Sequence, residues 1–128
     1  MVCCQEVLTY WHLRLLARRM HSFRHISYRR AAAGPAGGLV TFSRLRVSST
    51  VYLRFGVPPQ APGVSWPARY RSALKGALVT RLARLELCVI NTHPVANRDG
   101  CRDTGCQIVH LRDLISNSVG LLTDSFLL

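Results

Sequence analysis

The chain has 128 residues, 48% of them hydrophobic, which suits one globular domain with its own core. Its 17 basic and 6 acidic residues give a formal net charge of +11, which favours phosphate-bearing partners such as nucleic acid or anionic membrane. All but one of the basic residues are arginines scattered along the chain, and biased codon usage could equally account for them. With no apolar run of about 18 residues and no secretory pattern, we expect neither a transmembrane segment nor a signal peptide. Five irregularly spaced cysteines favour free thiols and an intracellular location.

The first part of the chain is predicted to alternate between strands and one helix. Met1–Cys4 is typical of the end of a buried strand, and apolar residues recur at helical spacing over Leu8–Met20. Alternation predicts a strand over Phe23–Arg30. The glycine-rich segment Ala31–Gly38 predicts a loop, and the β-formers of Leu39–Ser43 predict the next strand.

The second part is predicted to be rich in strands. Ser49–Phe55 reads as a strand. Gly56–Pro67, with four prolines, predicts irregular structure, either a surface loop near a binding site or a linker, and we favour the loop. Gly76–Leu82 and Leu87–Thr92 are apolar runs joined by a short turn, which predicts a hairpin. Ile108–Ile115 suggests a short helix in the tail. This order of elements indicates an α/β or α+β fold with largely antiparallel pairing.

Two polar residues stand at the ends of apolar strands. Glu6 follows the first strand, where a carboxylate can hold a hard metal ion, although it could instead favour the start of the helix. His93 ends the last strand, where it can hydrogen-bond a phosphate or transfer a proton, although a loop histidine without a role is the plainer alternative.

Taken together, four segments resemble signatures of the endonuclease/exonuclease/phosphatase superfamily, with the neutral sphingomyelinase-like branch most similar. In chain order they are a strand followed by Gln5-Glu6-Val7, a strand between Gly37-Gly38 and Ser43-Arg44, Lys75-Gly76 before a strand, and a strand ending in Asn91-Thr92-His93. The resemblance covers roughly residues 1–99, as a partial domain, and the divergent tail covers 100–128.

The resemblance implies an α/β fold, here a partial four-layer α/β sandwich with mostly antiparallel sheets. It implies Mg²⁺-dependent hydrolysis of a phosphoester, with Glu6 binding the metal and with His93 and Asn91 in catalytic roles. A metal ion and a neighbouring donor would together stabilise charge on the phosphoryl oxygens.

The chain also departs from the superfamily pattern. No asparagine precedes Glu6, Phe126 stands where an asparagine is expected after Asp124, and no Asp-His pair follows. We therefore expect a truncated piece of a phosphodiester hydrolase, sphingomyelinase- or nuclease-like, that binds Mg²⁺ weakly and is inactive alone. Incomplete sheets would favour self-association. The alternatives are a basic, non-enzymatic module that binds nucleic acid or anionic membrane, and a chain without a function of its own.

Overall fold

The computed structural model describes residues 1–55, 74–85, 87–94, 108–109, 111–113 and 115–116. The chain divides into two compact units, the first formed by Met1–Arg54 with Leu74–His93 and the second by Phe55–Ala73 with Pro94–Leu128. In the second unit the described residues between 108 and 116 are helical, in agreement with the predicted helix Ile108–Ile115. The elements described below all belong to the first unit.

Sheet one has three antiparallel strands in the order β1-β3-β2. They are β1 (Val2–Cys4), β2 (His25–Ser27) and β3 (Val40–Ser43). All four residues of the central strand β3 are buried, because strands flank it on both sides and both of its faces are covered. Val40 and Phe42 point to one face and Thr41 and Ser43 to the other, as the twofold period of a strand requires.

One helix, α1 (Tyr10–Arg19), covers the Val40–Phe42 face of sheet one. Its start is capped by Thr9, whose hydroxyl accepts a hydrogen bond from the His12 amide at 3.2 Å. Its last turn carries arginines, whose charge suits the negative end of the helix dipole. The side chains that pack against the buried residues of the sheet are Leu13, Leu16 and Ala17 of the helix and Met20 at its C-cap.

Sheet two is a three-stranded antiparallel meander in the order β4-β5-β6. Its strands are β4 (Val47–Arg54), β5 (Gly76–Leu82) and β6 (Cys88–Thr92). Antiparallel pairing places the end of β4 and the end of β6 beside the start of β5. The residue before β5 and the residue after β6 therefore lie at the same edge of the sheet.

The two sheets are joined by polar contacts. The Asn91 side chain in β6 donates hydrogen bonds to the carbonyl oxygens of Cys4 and Val40, both at 3.1 Å. The Thr50 hydroxyl donates to the Ser27 hydroxyl at 3.1 Å, and β3 also contacts β5. Because Asn91 is only 2% exposed, its amide links strands of both sheets inside the protein.

The predicted fold class is confirmed as a mixed α/β fold with antiparallel sheets. The β5–β6 hairpin is confirmed, whereas the strand predicted over Phe23–Arg30 is shorter, because Arg30 pairs with Pro35 across a tight turn. The four-layer sandwich stays a prediction. The predicted loop Gly56–Pro67 and the domain boundary between residues 99 and 100 lie outside the described residues.

The described part of the chain contains no helix that is both long and apolar enough to cross a membrane. Cys3, Cys4 and Cys88, the cysteines for which the structure gives a position, are free thiols, and burial raises the pKa of the Cys4 thiol.

Replacing Asn91 by aspartate tests the link between the sheets. The near-isosteric carboxylate would face two carbonyl oxygens without a proton to donate, so we expect Asn91→Asp to lower the free energy of unfolding at pH 7 by about 3 kcal/mol. Burial would raise the pKa of the new carboxyl above its unfolded value of about 3.9, so the loss should shrink as the pH falls towards ~4. Urea unfolding at both pH values measures this.

Ser22→Asp, at an exposed position outside the strands, is the matched control and should change stability by no more than about 0.5 kcal/mol. Equal effects of the two substitutions, or a loss from Asn91→Asp that does not depend on pH, would contradict the inferred role of the amide.

Candidate functional site

Glu6 has an unusual backbone conformation that its neighbours hold in place. Its φ angle is 58°, and it is the one described non-glycine residue with a positive φ. Such a conformation costs about 1–3 kcal/mol and persists where surrounding contacts impose it. The Gln5 side chain donates to the Thr92 carbonyl at 2.7 Å, and the Val7 amide donates to the Gly38 carbonyl at 3.0 Å. Glu6 is therefore fixed on both sides, while its side chain stays 72% exposed.

Gly38 lets the turn before β3 approach this segment closely. Its φ angle is 68°, and a Cβ atom placed on it would lie 3.1 Å from the Glu6 Cα atom. A larger residue would push against the backbone at Glu6. The glycine pair Gly37-Gly38 thus allows the turn at residues 36–38 to support the strained residue.

His93 lies between Glu6 and Lys75. Its Nε2 atom is 3.9 Å from Glu6 Oε1, and its Nδ1 atom is 3.1 Å from Lys75 Nζ. An ammonium group only donates, so Nδ1 accepts from Lys75 and a neutral His93 carries its proton on Nε2, towards the carboxylate. Two nitrogen donors and one carboxylate therefore share a small region of the surface.

Lys75 is the single lysine of the chain and lies half-buried at the start of β5. Burial lowers the pKa of its ammonium group, and the negative charge of Glu6 partly opposes this shift. Because the pKa of Lys75 is lower in the folded chain than in the unfolded chain, the charged form of Lys75 lowers the free energy of unfolding. This loss is present below the folded pKa.

The geometry follows from the pairing of the strands. Glu6 follows the end of β1 and Gly38 precedes β3, which pairs antiparallel with β1. Lys75 precedes β5 and His93 follows β6, which pairs antiparallel with β5. The Asn91 and Gln5 hydrogen bonds then join the two pairs, so the segments noted in the sequence meet at one edge of the unit.

The predicted site residues are thus distributed between the surface and the interior. Glu6 and His93 come together, although they are 87 positions apart in the sequence. Asn91 is buried and bonds to backbone carbonyls, while its Oδ1 atom has no hydrogen-bond partner among the described residues. The catalytic role of Asn91 stays a prediction. Lys75 was not predicted as a site residue. The sequence did carry a signal for it, because Lys75 is the single lysine of the chain and directly precedes a predicted strand of the hairpin.

Glu6 is the residue that the resemblance implies as a Mg²⁺ ligand. Glu6 offers one exposed carboxylate, and Mg²⁺ commonly uses one or two carboxylates with waters and substrate phosphate. Within the part of the chain that the structure describes, no three His, Cys, Asp or Glu side chains cluster as a metal-binding group. Asp124, the aspartate after which the superfamily's asparagine is missing, lies outside the described residues.

Comparison of the chain with protein-family models, with curated proteins and with solved structures finds no match.

Glycine and alanine at position 6 provide a test of the backbone strain. We expect Glu6→Gly to be more stable than Glu6→Ala by about 1 kcal/mol, because only glycine adopts this φ without strain. Both variants lose the carboxylate, so the difference between their free energies of unfolding reports the backbone strain at position 6. Thermal and urea unfolding measure it.

The same comparison at the nearby exposed Leu8, whose φ is not positive, should give the opposite sign. Leu8→Gly should be less stable than Leu8→Ala, because glycine gives the unfolded chain more conformational freedom to lose. If alanine is the more stable residue at both positions, Glu6 does not adopt the left-handed conformation.

Proposed function

We propose that the chain binds a phosphodiester together with Mg²⁺ at the Glu6–Lys75–His93 site, as the metal- and phosphate-binding part of a phosphodiester hydrolase. The observation that carries the proposal is the strained, exposed Glu6 carboxylate held 3.9 Å from His93, which is itself hydrogen-bonded to the half-buried Lys75.

Strain and burial of charge support a binding role. Backbone strain and a desolvated lysine both reduce stability, and such features concentrate where a protein binds or reacts. A phosphate would gain two nitrogen donors from Lys75 and His93, and charge-assisted hydrogen bonds of this kind are short and strong. The site edge also joins the segments that resemble the endonuclease/exonuclease/phosphatase superfamily.

The proposed chemistry divides between the three residues. Lys75 and His93 donate to phosphate oxygens and orient the diester, while Glu6 binds the metal. When bound, Mg²⁺ supplies charge neutralisation on the phosphoryl oxygens. Binding of the phosphate also compensates the buried ammonium group, so the pKa of Lys75 should rise towards its ordinary value when the ligand is present.

The proposal concerns binding rather than fast hydrolysis. The Glu6 carboxylate would have to bind the metal and also remove a proton from the attacking water, and it cannot do both efficiently. The His93 Nδ1 atom lies 3.1 Å from Lys75 Nζ and accepts from its ammonium group, so this nitrogen is not available to remove a proton from water. We therefore expect slow turnover, with Asn91 acting through the position of β6 rather than by contact with the phosphate.

The test uses bis(p-nitrophenyl) phosphate as the probe, with and without millimolar Mg²⁺. Calorimetric titration measures binding, and the released nitrophenolate measures hydrolysis. We expect Mg²⁺-dependent binding that weakens about tenfold in Glu6→Gln and in His93→Gln, since each removes one strong contact.

His12→Gln is the matched control, because His12 is an exposed histidine on α1 with a local partner in Thr9. It should bind the diester as the unmodified chain does. The proposal fails if binding is indifferent to Mg²⁺, or if the three variants bind equally well.

A further inference from the structure

A concave region separate from the Glu6–Lys75–His93 site is lined by residues of both sheets. It is an open cleft of about 720 Å³, and its lining includes three arginines, two tyrosines and a threonine. These residues are Tyr28, Arg29, Arg30, Thr50, Tyr52 and Arg54. Among the described residues that line the cleft none is acidic, so their charge favours an anion.

The arginine segment is held in place by its backbone. Arg29 and Arg30 follow β2, the Ala36 amide donates to the Arg29 carbonyl at 2.8 Å, and Arg30 pairs with Pro35. The opposite wall is the end of β4, and Thr50 bonds to Ser27 across the sheets. The cleft is therefore a feature of two paired sheets rather than of one loop.

The tyrosines are fixed as well. A side-chain hydrogen bond with Tyr28 raises the pKa of Arg30. The Tyr52 hydroxyl donates to the Leu74 carbonyl, and burial raises the pKa of this phenol. The side chains of Tyr28 and Tyr52 are half-buried, and they line the cleft together with the arginines.

The shape of the cleft selects among anions. Its volume falls in the range of small-molecule sites, about 300–1,000 Å³. A flat bilayer surface would contact exposed arginines without entering a concave space, whereas an aromatic base can stack on a tyrosine ring while arginine forks bind its phosphates. We infer that this cleft binds a nucleotide, with Arg29 and Arg30 contacting the phosphates and the tyrosines contacting the base.

Nucleotide binding does not depend on the function proposed above. The cleft needs neither Mg²⁺ nor Glu6, and it uses arginine rather than Lys75 and His93. The two sites are nevertheless near each other in the chain, because Leu74 lines the cleft and directly precedes Lys75. A ligand in the cleft would thus lie beside the start of β5.

The test is fluorescence anisotropy with N-methylanthraniloyl-ADP, on the full chain, in the presence of a chelator that removes divalent ions. We expect Arg29→Gln/Arg30→Gln to weaken binding at least about tenfold. Arg18→Gln/Arg19→Gln removes the same charge from an exposed adjacent pair on α1 and should change affinity less than about twofold. The chelator removes the Mg²⁺ on which binding at the Glu6–Lys75–His93 site depends, which separates this result from that of the other site.

Competition on the unmodified chain tests the same inference without a variant. ADP should displace the probe best, pyrophosphate less well, and adenosine least. Equal displacement by pyrophosphate and ADP would overturn the contact with the base. Equal losses in the two double variants, or binding to phosphatidylserine vesicles with no binding of the nucleotide, would overturn the cleft as a nucleotide site.

Discussion

The side-chain amide of Asn91 is the interaction on which the arrangement of the first unit depends. Its two hydrogen bonds join β6 to both β1 and β3, across the boundary between the sheets. Hydrophobic packing would hold the sheets together in many registers, because apolar contact is not directional. Two buried hydrogen bonds from one amide are directional and select one register. In that register His93, two positions after Asn91, reaches the carboxylate that follows β1.

The Glu6–Lys75–His93 site is also where local preferences are most clearly violated. Glutamate is a poor residue for positive φ, and a half-buried lysine loses hydration that its neighbours replace only in part. The adjacent glycine pair and the Gln5 hydrogen bond support this strain. Violations of local preference of this kind concentrate at functional sites in proteins, and the proposed ligand site rests on them.

The sequence predicted most of the described elements but only part of their association. The apolar runs around β5 and β6 and the helical spacing of α1 are local signals, so they were readable. β2 was predicted too long, because alternation continues into Arg29 and Arg30 while the backbone turns towards Pro35. The proximity of Glu6 and His93 has no local signal, and only the resemblance suggested it. Lys75 could have been identified from the sequence. It directly precedes β5, and pairing in the predicted hairpin places the start of β5 beside the end of β6, where His93 lies.

Paramagnetic broadening by Mn²⁺, a hard ion that uses the same oxygen ligands as Mg²⁺, tests the central claim most directly. Amide signals of the isotopically labelled chain would be followed during a titration in the presence of a phosphodiester. A single site at the Glu6 carboxylate predicts that the signals of Glu6, Gly38 and His93 broaden first, and that Glu6→Gln abolishes this pattern. Broadening centred on another part of the chain, or the same pattern in Glu6→Gln, would contradict a metal and phosphate site at this edge.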